Sequence, residues 1–164
     1  MRERLPNAKY ALEDEDGNFL STERFQDASF GVESIGVDFQ TMLDSTAVRV
    51  VVFSSENTSD EFNEAIKHIG LSGVTYSVGW TAWLDIAAEG VTKASALEAL
   101  RHKLGTDLAN TVAVGDGRND IEMLTWAGRG VAMGQAPDEV IAVADEVTAS
   151  VLDDGAAQVL RSLL

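Results

Sequence analysis

The strongest chemical signal in the sequence is Gly115-Asp116-Gly117-Arg118-Asn119-Asp120, which follows the apolar run Thr111-Val112-Ala113-Val114. The run predicts a buried strand over 111–114, and the residues after the loop predict a helix over about 119–127. In open α/β sheets, ligands bind beyond the carboxyl ends of the strands, which is where this loop would lie. Asp116 would close the strand and Asp120 would stand in the next helical turn, so the two carboxylates can converge on a hard cation. Oxygen donors with no Cys or His beside them suit Mg²⁺. The same residues serve equally well as a strand-to-helix turn in which Asn119 or Asp120 caps the helix, since acids at helix starts are common.

Lys93 bears on that choice. It falls in the first turn of a helix predicted over 92–104, where a cation opposes the helix dipole by roughly 0.3–1 kcal/mol. A structural lysine is poorly placed there, whereas one that meets an anion beside free backbone N–H groups is well placed. By itself a solvated surface lysine explains the position. Taken with two carboxylates and a parallel sheet, Lys93 points to phosphate chemistry, in which a cation and a lysine neutralise charge on the transferred group.

The elements that must position these residues differ between the two halves of the chain. From 92 onward, helix and strand alternate. The helix 92–104 carries Leu97, Leu100 and Leu104 on one face and stops at Gly105; strand 111–114 and helix 119–127 follow. Strand 130–133, a helix starting near Pro137, a short strand at 147–149 and a last helix over about 154–164 complete the series. This rhythm implies a parallel sheet covered by helices. The first half instead predicts a hairpin around Asp16-Gly17-Asn18, a strand over 48–53 and a helix over about 58–69. Thr58 and Glu61 give that helix a capping box, Phe62, Ala65, Ile66 and Ile69 share a face, and Gly70 stops it. Two strands, 74–78 and 82–87, then read as an antiparallel pair around Gly79-Trp80. The expected fold class is therefore α/β overall: a small α+β unit over 1–89, then a partial Rossmann-like core over 90–164 with a parallel sheet and flanking helices.

Composition narrows the partners. The 164 residues include 27 acidic and 12 basic side chains, a formal charge of −15. Such a surface repels nucleic acid and anionic lipid, so neither is an expected partner. Cysteine is absent, which removes disulfides, thiolate metal sites and cysteine nucleophiles together. No run approaches the roughly 18 apolar residues of a spanning helix, and the amino terminus lacks a signal-peptide core; a cytoplasmic protein is expected. Trp80 and Trp83 could line a substrate cover, although aromatic residues on a hairpin more often pack. His68 and His102 read as solvated, and Trp126 as filler between helix and sheet.

Two stretches carry a resemblance. They are 84–97, Leu-Asp-Ile-Ala-Ala-Glu-Gly-Val-Thr-Lys-Ala-Ser-Ala-Leu, and 114–124, Val-Gly-Asp-Gly-Arg-Asn-Asp-Ile-Glu-Met-Leu. Together they resemble the haloacid dehalogenase superfamily, and more narrowly its Cof-type, sugar-phosphatase-like branch with a large α+β cap. Gly134-Gln135-Ala136-Pro137, Ala144-Asp145-Glu146-Val147-Thr148 and Asp154-Gly155 fit the carboxyl end of that branch. The similarity is tight over 84–164 and looser over 1–83. It implies an Mg²⁺-dependent phosphatase of small phosphorylated metabolites such as sugar phosphates, acting through a phosphoaspartate. By resemblance Lys93 orients the phosphate and Asn119 contacts it. Asp116 is a metal ligand, and Asp120 is a metal ligand or an acid standing behind one. Arg118 occupies a variable position and receives no role.

The family's nucleophile stands in Asp-x-Asp-Gly-Thr directly after an apolar central strand, and no such segment occurs here. Its nearest imitation, Asp14-Glu15-Asp16-Gly17-Asn18, follows Lys9-Tyr10-Ala11-Leu12-Glu13, which is too short and polar for a buried parallel strand. The expectation is a cap over 1–89 followed by the carboxyl half of the core over 90–164, a chain inactive alone. It would expose a sheet edge that invites homo-oligomers. Two alternatives stay open: a complete capless phosphatase using Asp14 and Asp16, and a non-catalytic binding module on the same scaffold.

Overall fold

The structure, a computed structural model, describes residues 1, 3–22, 34–79 and 81–164. The chain divides into two compact units, Met1–Glu89 and Gly90–Leu164.

The first unit is built on a hairpin of β1 (Lys9–Glu13) and β2 (Phe19–Ser21). Its turn closes because the Asp14 carboxylate accepts the backbone N–H groups of Asp16 (3.0 Å) and Asn18 (2.8 Å). Gly17 supplies the positive φ of +80° that the turn requires. These bonds hold the Asp14 carboxyl below the usual carboxylate range, the Asn18 side chain contributing most. A short β3 (Ile35–Gly36) and helix α1 (Phe39–Leu43) lead into β4 (Arg49–Phe53). Helix α2 (Ser59–Ile69) starts at Thr58, whose hydroxyl accepts from Glu61 N while Glu61 accepts from Thr58 N. It ends at Gly70, in the left-handed region with φ +66°. Strands β5 (Val74–Val78) and β6 (Trp83–Ala88) form an antiparallel pair.

The six strands lie in the order β3-β2-β1-β4-β6-β5. Register explains the core. Tyr10 faces Val52, Val52 faces Leu84 and Leu84 faces Val78; one row on, Leu12, Val50 and Ile86 align likewise. Because strand side chains alternate faces, these rows share one side, where Phe62 and Ile66 of α2 and Met42 of α1 complete the buried cluster. On the opposite face Arg49 Nε donates to Asp85 Oδ1 (2.7 Å) and the Trp83 indole donates to Asp85 Oδ2 (2.8 Å). The Trp83 ring also lies 5.8 Å from that of Phe53. Trp80 lies outside the described residues.

The second unit begins with α3 (Lys93–Leu104), capped at its start by Thr92 and Ser95 and at its end by Gly105. Then come β7 (Val112–Gly115), a 3-10 turn (Arg118–Asp120), α4 (Ile121–Trp126) and β8 (Arg129–Ala132). Helix α5 (Asp138–Ile141), β9 (Glu146–Val147), a second 3-10 turn (Val151–Asp153) and α6 (Gly155–Arg161) follow. The strands pair in parallel in the order β7-β8-β9. Small residues, Ala113, Ala132 and Ala136, dominate the core with Leu124 and Val140. They permit a close approach of helix to strand at Gly130, where a Cβ would stand 2.2 Å from the Leu124 carbonyl oxygen of α4.

The architecture is thus mixed α/β, with a parallel sheet in the second unit. Two details differ from expectation. The leucine face of α3 is not buried: Leu100 is 48% exposed and Leu104 68%, and no residue of the helix is buried. Trp126 is half-buried, and its indole donates to Glu98 of α3 (2.9 Å), so it ties helix to helix. His68 and His102 are exposed, as their helix positions suggested. Among the described residues no helix is long and apolar enough to cross a membrane.

Candidate active site

Strand β7 delivers the chain to Gly115 and Asp116 at the carboxyl end of the parallel sheet. Asp120, only 4% exposed, folds back over this strand end. Its Oδ2 accepts the backbone N–H groups of Asp116 (3.0 Å) and Gly117 (2.9 Å), and its Oδ1 accepts the Lys93 ammonium. Both carboxylate oxygens are therefore engaged by donors. Glycine is required beneath it, because a Cβ at residue 115 would lie 2.6 Å from Asp120 Cβ. A Cβ at Gly117 would meet Asn119 Oδ1 at 2.6 Å, the tip of an exposed side chain that can swing aside.

Asp120 does serve as a cap: as the third residue of the 3-10 turn Arg118–Asp120 it accepts the N–H of Gly117 at the turn's start. It goes beyond that cap by also accepting the Asp116 N–H and the Lys93 ammonium. The anion that Lys93 meets at the start of α3 is the Asp120 carboxylate, and the lysine side chain remains 48% exposed. Helix α3 is held in place one and a half turns further on, where Glu98 accepts from Arg101 Nε (2.8 Å) and from the Trp126 indole of α4. The Arg101 bonds, followed by the Trp126 bond, pull the Glu98 carboxyl down to about 2.

Asp116 is half-buried, and its Oδ2 accepts from Gln135 Nε2 (2.9 Å). Gln135 stands in the loop after β8, and its Oε1 accepts the Val151 N–H (2.9 Å). Asn119 is exposed beside this loop, and Arg118 is exposed and pairs with Glu139. Lys93, Asp116 and Asp120 are thus gathered by direct contacts, with Asn119 next to Asp120 in the chain. Gln135 was not assigned a role from the sequence. The available signal was its place after β8, at the same end of the sheet as Asp116.

The donors available to a metal are oxygens, which suits a hard cation. Asp116 fits a ligand's role: it is accessible, and among the described residues no protein donor reaches its Oδ1. Among the described residues no group of three or more His, Asp or Glu side chains converges as a complete cation site. Asp14 and Asp16 lie in the β1–β2 turn of the first unit, where Asp14 closes the turn. Strand β1, which leads to them, is antiparallel to both of its neighbours, unlike the parallel strand that an Asp-x-Asp nucleophile follows.

Comparison with known proteins identifies the family. Residues 6–160 match the sequence model of the haloacid dehalogenase-like hydrolases. The chain is 44% identical over 78 residues to the 5-amino-6-(5-phospho-D-ribitylamino)uracil phosphatase YcsE of Bacillus subtilis, an alignment covering 48% of this chain and 31% of that protein. It is 33% identical over 111 residues to a phosphoglycolate phosphatase of Methanoculleus marisnigri, covering 68% and 47% respectively. The structure superposes on a solved subclass IIB sugar phosphatase with a TM-score of 0.79 and 26% identity, over 99% of this chain and 62% of that one. A phosphatase from Bacteroides thetaiotaomicron gives a TM-score of 0.68 and 28% identity, over 97% and 60%. The chain therefore spans less than two thirds of the length of these relatives.

Proposed function

The chain belongs to the haloacid dehalogenase-like hydrolases, and from that premise we propose that it carries the metal- and phosphate-binding half of an Mg²⁺-dependent phosphatase acting on small phosphorylated metabolites such as sugar phosphates. The observation that supports this most is the arrangement of Lys93, Asp116 and Asp120 around one strand end, organised by a carboxylate that is itself almost fully buried.

In this reading residues 90–164 are the carboxyl half of the catalytic core and residues 1–89 are its α+β cap. Asp116 is the direct ligand. Asp120, with both oxygens already taken, fixes the loop and holds Lys93 by charge. Lys93, half-exposed, presents its remaining N–H donors to the phosphoryl oxygens, and Asn119 offers an amide to the same group. The cation, when bound, supplies charge neutralisation on the phosphoryl oxygens. Among the described residues no Asp-x-Asp pair follows a parallel apolar strand, so in this reading the nucleophile that would form the phosphoaspartate is not one of the residues gathered here.

The test is turnover of an aryl phosphate with Mg²⁺ by this chain, beside Mg²⁺ binding measured by calorimetry. No turnover, with Mg²⁺ bound by the wild type and lost in Asp116→Asn, is the expected result. Turnover that disappears in Asp14→Asn would overturn it in favour of the complete capless enzyme. Absence of Mg²⁺ binding by the wild type would overturn the metal assignment.

A further inference from the structure

Among the described residues, Gln135 is the side chain that ties the Asp116 carboxylate to the turn before α6. Its amide stands between two partners of opposite kind. The Val151 backbone N–H can only donate, so the amide oxygen must face it; the ionised Asp116 carboxylate can only accept, so the NH₂ end must face Asp116. One orientation of the amide satisfies both, at 2.9 Å each.

The requirement on side-chain length is equally strict. Asparagine is shorter by one methylene, about 1.5 Å, and could reach one partner but not both. The Val151 end is itself well anchored. Ser150 Oγ donates to Asp153 Oδ2 (2.7 Å) and Gly155 N donates to Ser150 O (3.0 Å). The backbone there is also too close for side chains, since a Cβ at Gly155 would stand 1.9 Å from Ala149 O. The turn is thus a fixed post, and Gln135 is a strut from that post to the carboxylate.

We infer that Gln135 is the positioning residue for Asp116: it occupies Oδ2, leaves Oδ1 toward the cation, and couples the metal loop to the turn before α6. The inference rests on Asp116 being the ligand proposed above. Groups that orient metal-binding side chains typically account for 10–100-fold in affinity. Because Gln135 is exposed to water, an effect near the lower end, about tenfold, is expected.

Mg²⁺ affinity is measured by calorimetry for the wild type, Asp116→Asn, Gln135→Leu and Gln135→Asn, while NMR follows the Gln135 side-chain amide and the Val151 backbone amide. Expected are loss of binding in Asp116→Asn and about tenfold weaker binding in both Gln135 variants, with the Gln135 NH₂ resonance moving on Mg²⁺ addition to the wild type. A metal-free readout separates coupling from mere folding: Asp116→Ala should move the Val151 amide resonance in the wild-type background and leave it unmoved in the Gln135→Leu background. Wild-type affinity in Gln135→Leu, once Asp116→Asn has abolished binding, overturns the role of Gln135 and leaves the ligand assignment standing. Wild-type affinity in Asp116→Asn, or no binding by the wild type, overturns the ligand assignment and this inference with it.

Discussion

Replacing Asp120 by alanine isolates what the buried carboxylate does for the loop. In the wild type its Oδ2 is the acceptor for two backbone N–H groups, those of Asp116 and Gly117. A buried donor left without an acceptor costs about 1–3 kcal/mol. Gly117 is buried and takes the full penalty; Asp116 is half-buried and can recover part of its loss from water. The freed Lys93 ammonium adds little, because it is already half-exposed and an ion pair there is screened by solvent. The sum is about 2–4 kcal/mol, a large fraction of the 5–15 kcal/mol that typically separates folded from unfolded domains. Asp120→Asn retains one acceptor oxygen for the same N–H groups and should lose less. Urea denaturation with hydrogen exchange read at residues 112–120 measures both variants. Stability of Asp120→Ala within about 0.5 kcal/mol of wild type, with amide protection at 116 and 117 unchanged, would refute the claim that this carboxylate organises the strand end.

The packing of the second unit leads to three further outcomes. Gly130→Ala would place a methyl group 2.2 Å from the Leu124 carbonyl and should lower stability by about 1–3 kcal/mol, seen as a drop in the melting temperature; an unchanged Tm would show that α4 and β8 can separate freely. Glu98, held near 2 chiefly by Arg101, has its folded pKa below the unfolded value, so its contribution is complete above about pH 4.3 and fades as pH falls toward 2. Unfolding measured between pH 2 and 6 should therefore be less pH-dependent in Glu98→Gln than in the wild type. Strand β7 has β8 as its one sheet partner among the described residues, and an apolar strand with a bare edge invites pairing. Sedimentation should show concentration-dependent self-association, and a clean monomer across a hundredfold dilution would contradict it.

Much of the fold was legible because its signals are local. The Thr58–Glu61 capping box, Gly70, the Asp14–Asn18 turn and the apolar β-branched run in β4 each act within a few residues, and each element appears where those signals put it. The α3 leucines illustrate the limit. Their spacing defines an apolar face, yet spacing cannot say what covers a face, and Leu100 and Leu104 are exposed in the structure. Trp126 shows the same limit from the other side. A large aromatic beside an apolar strand reads as core, but its indole N–H needs an acceptor, and Glu98, 28 residues earlier, supplies it.

Within the loop, composition identified the reactive residue types but could not divide the labour between them. Asp116 and Asp120 are the same residue type four positions apart, and either could bind a cation. Burial and donor count separate them: Asp120 meets three donors in a 4%-exposed niche, whereas Asp116 meets one and stays accessible. The distinction depends on Gly115, whose missing Cβ leaves the space that Asp120 occupies, and on Gln135, 19 residues beyond Asp116. A glycine next to an aspartate is visible in the sequence. That the glycine makes room for a different aspartate, and that a glutamine after the next strand bonds the first one, emerges only when β7 and β8 lie side by side. The candidate chemistry is therefore written in residue types, but the proposed division into ligand and support rests on the parallel pairing that brings two loops to one end of the sheet.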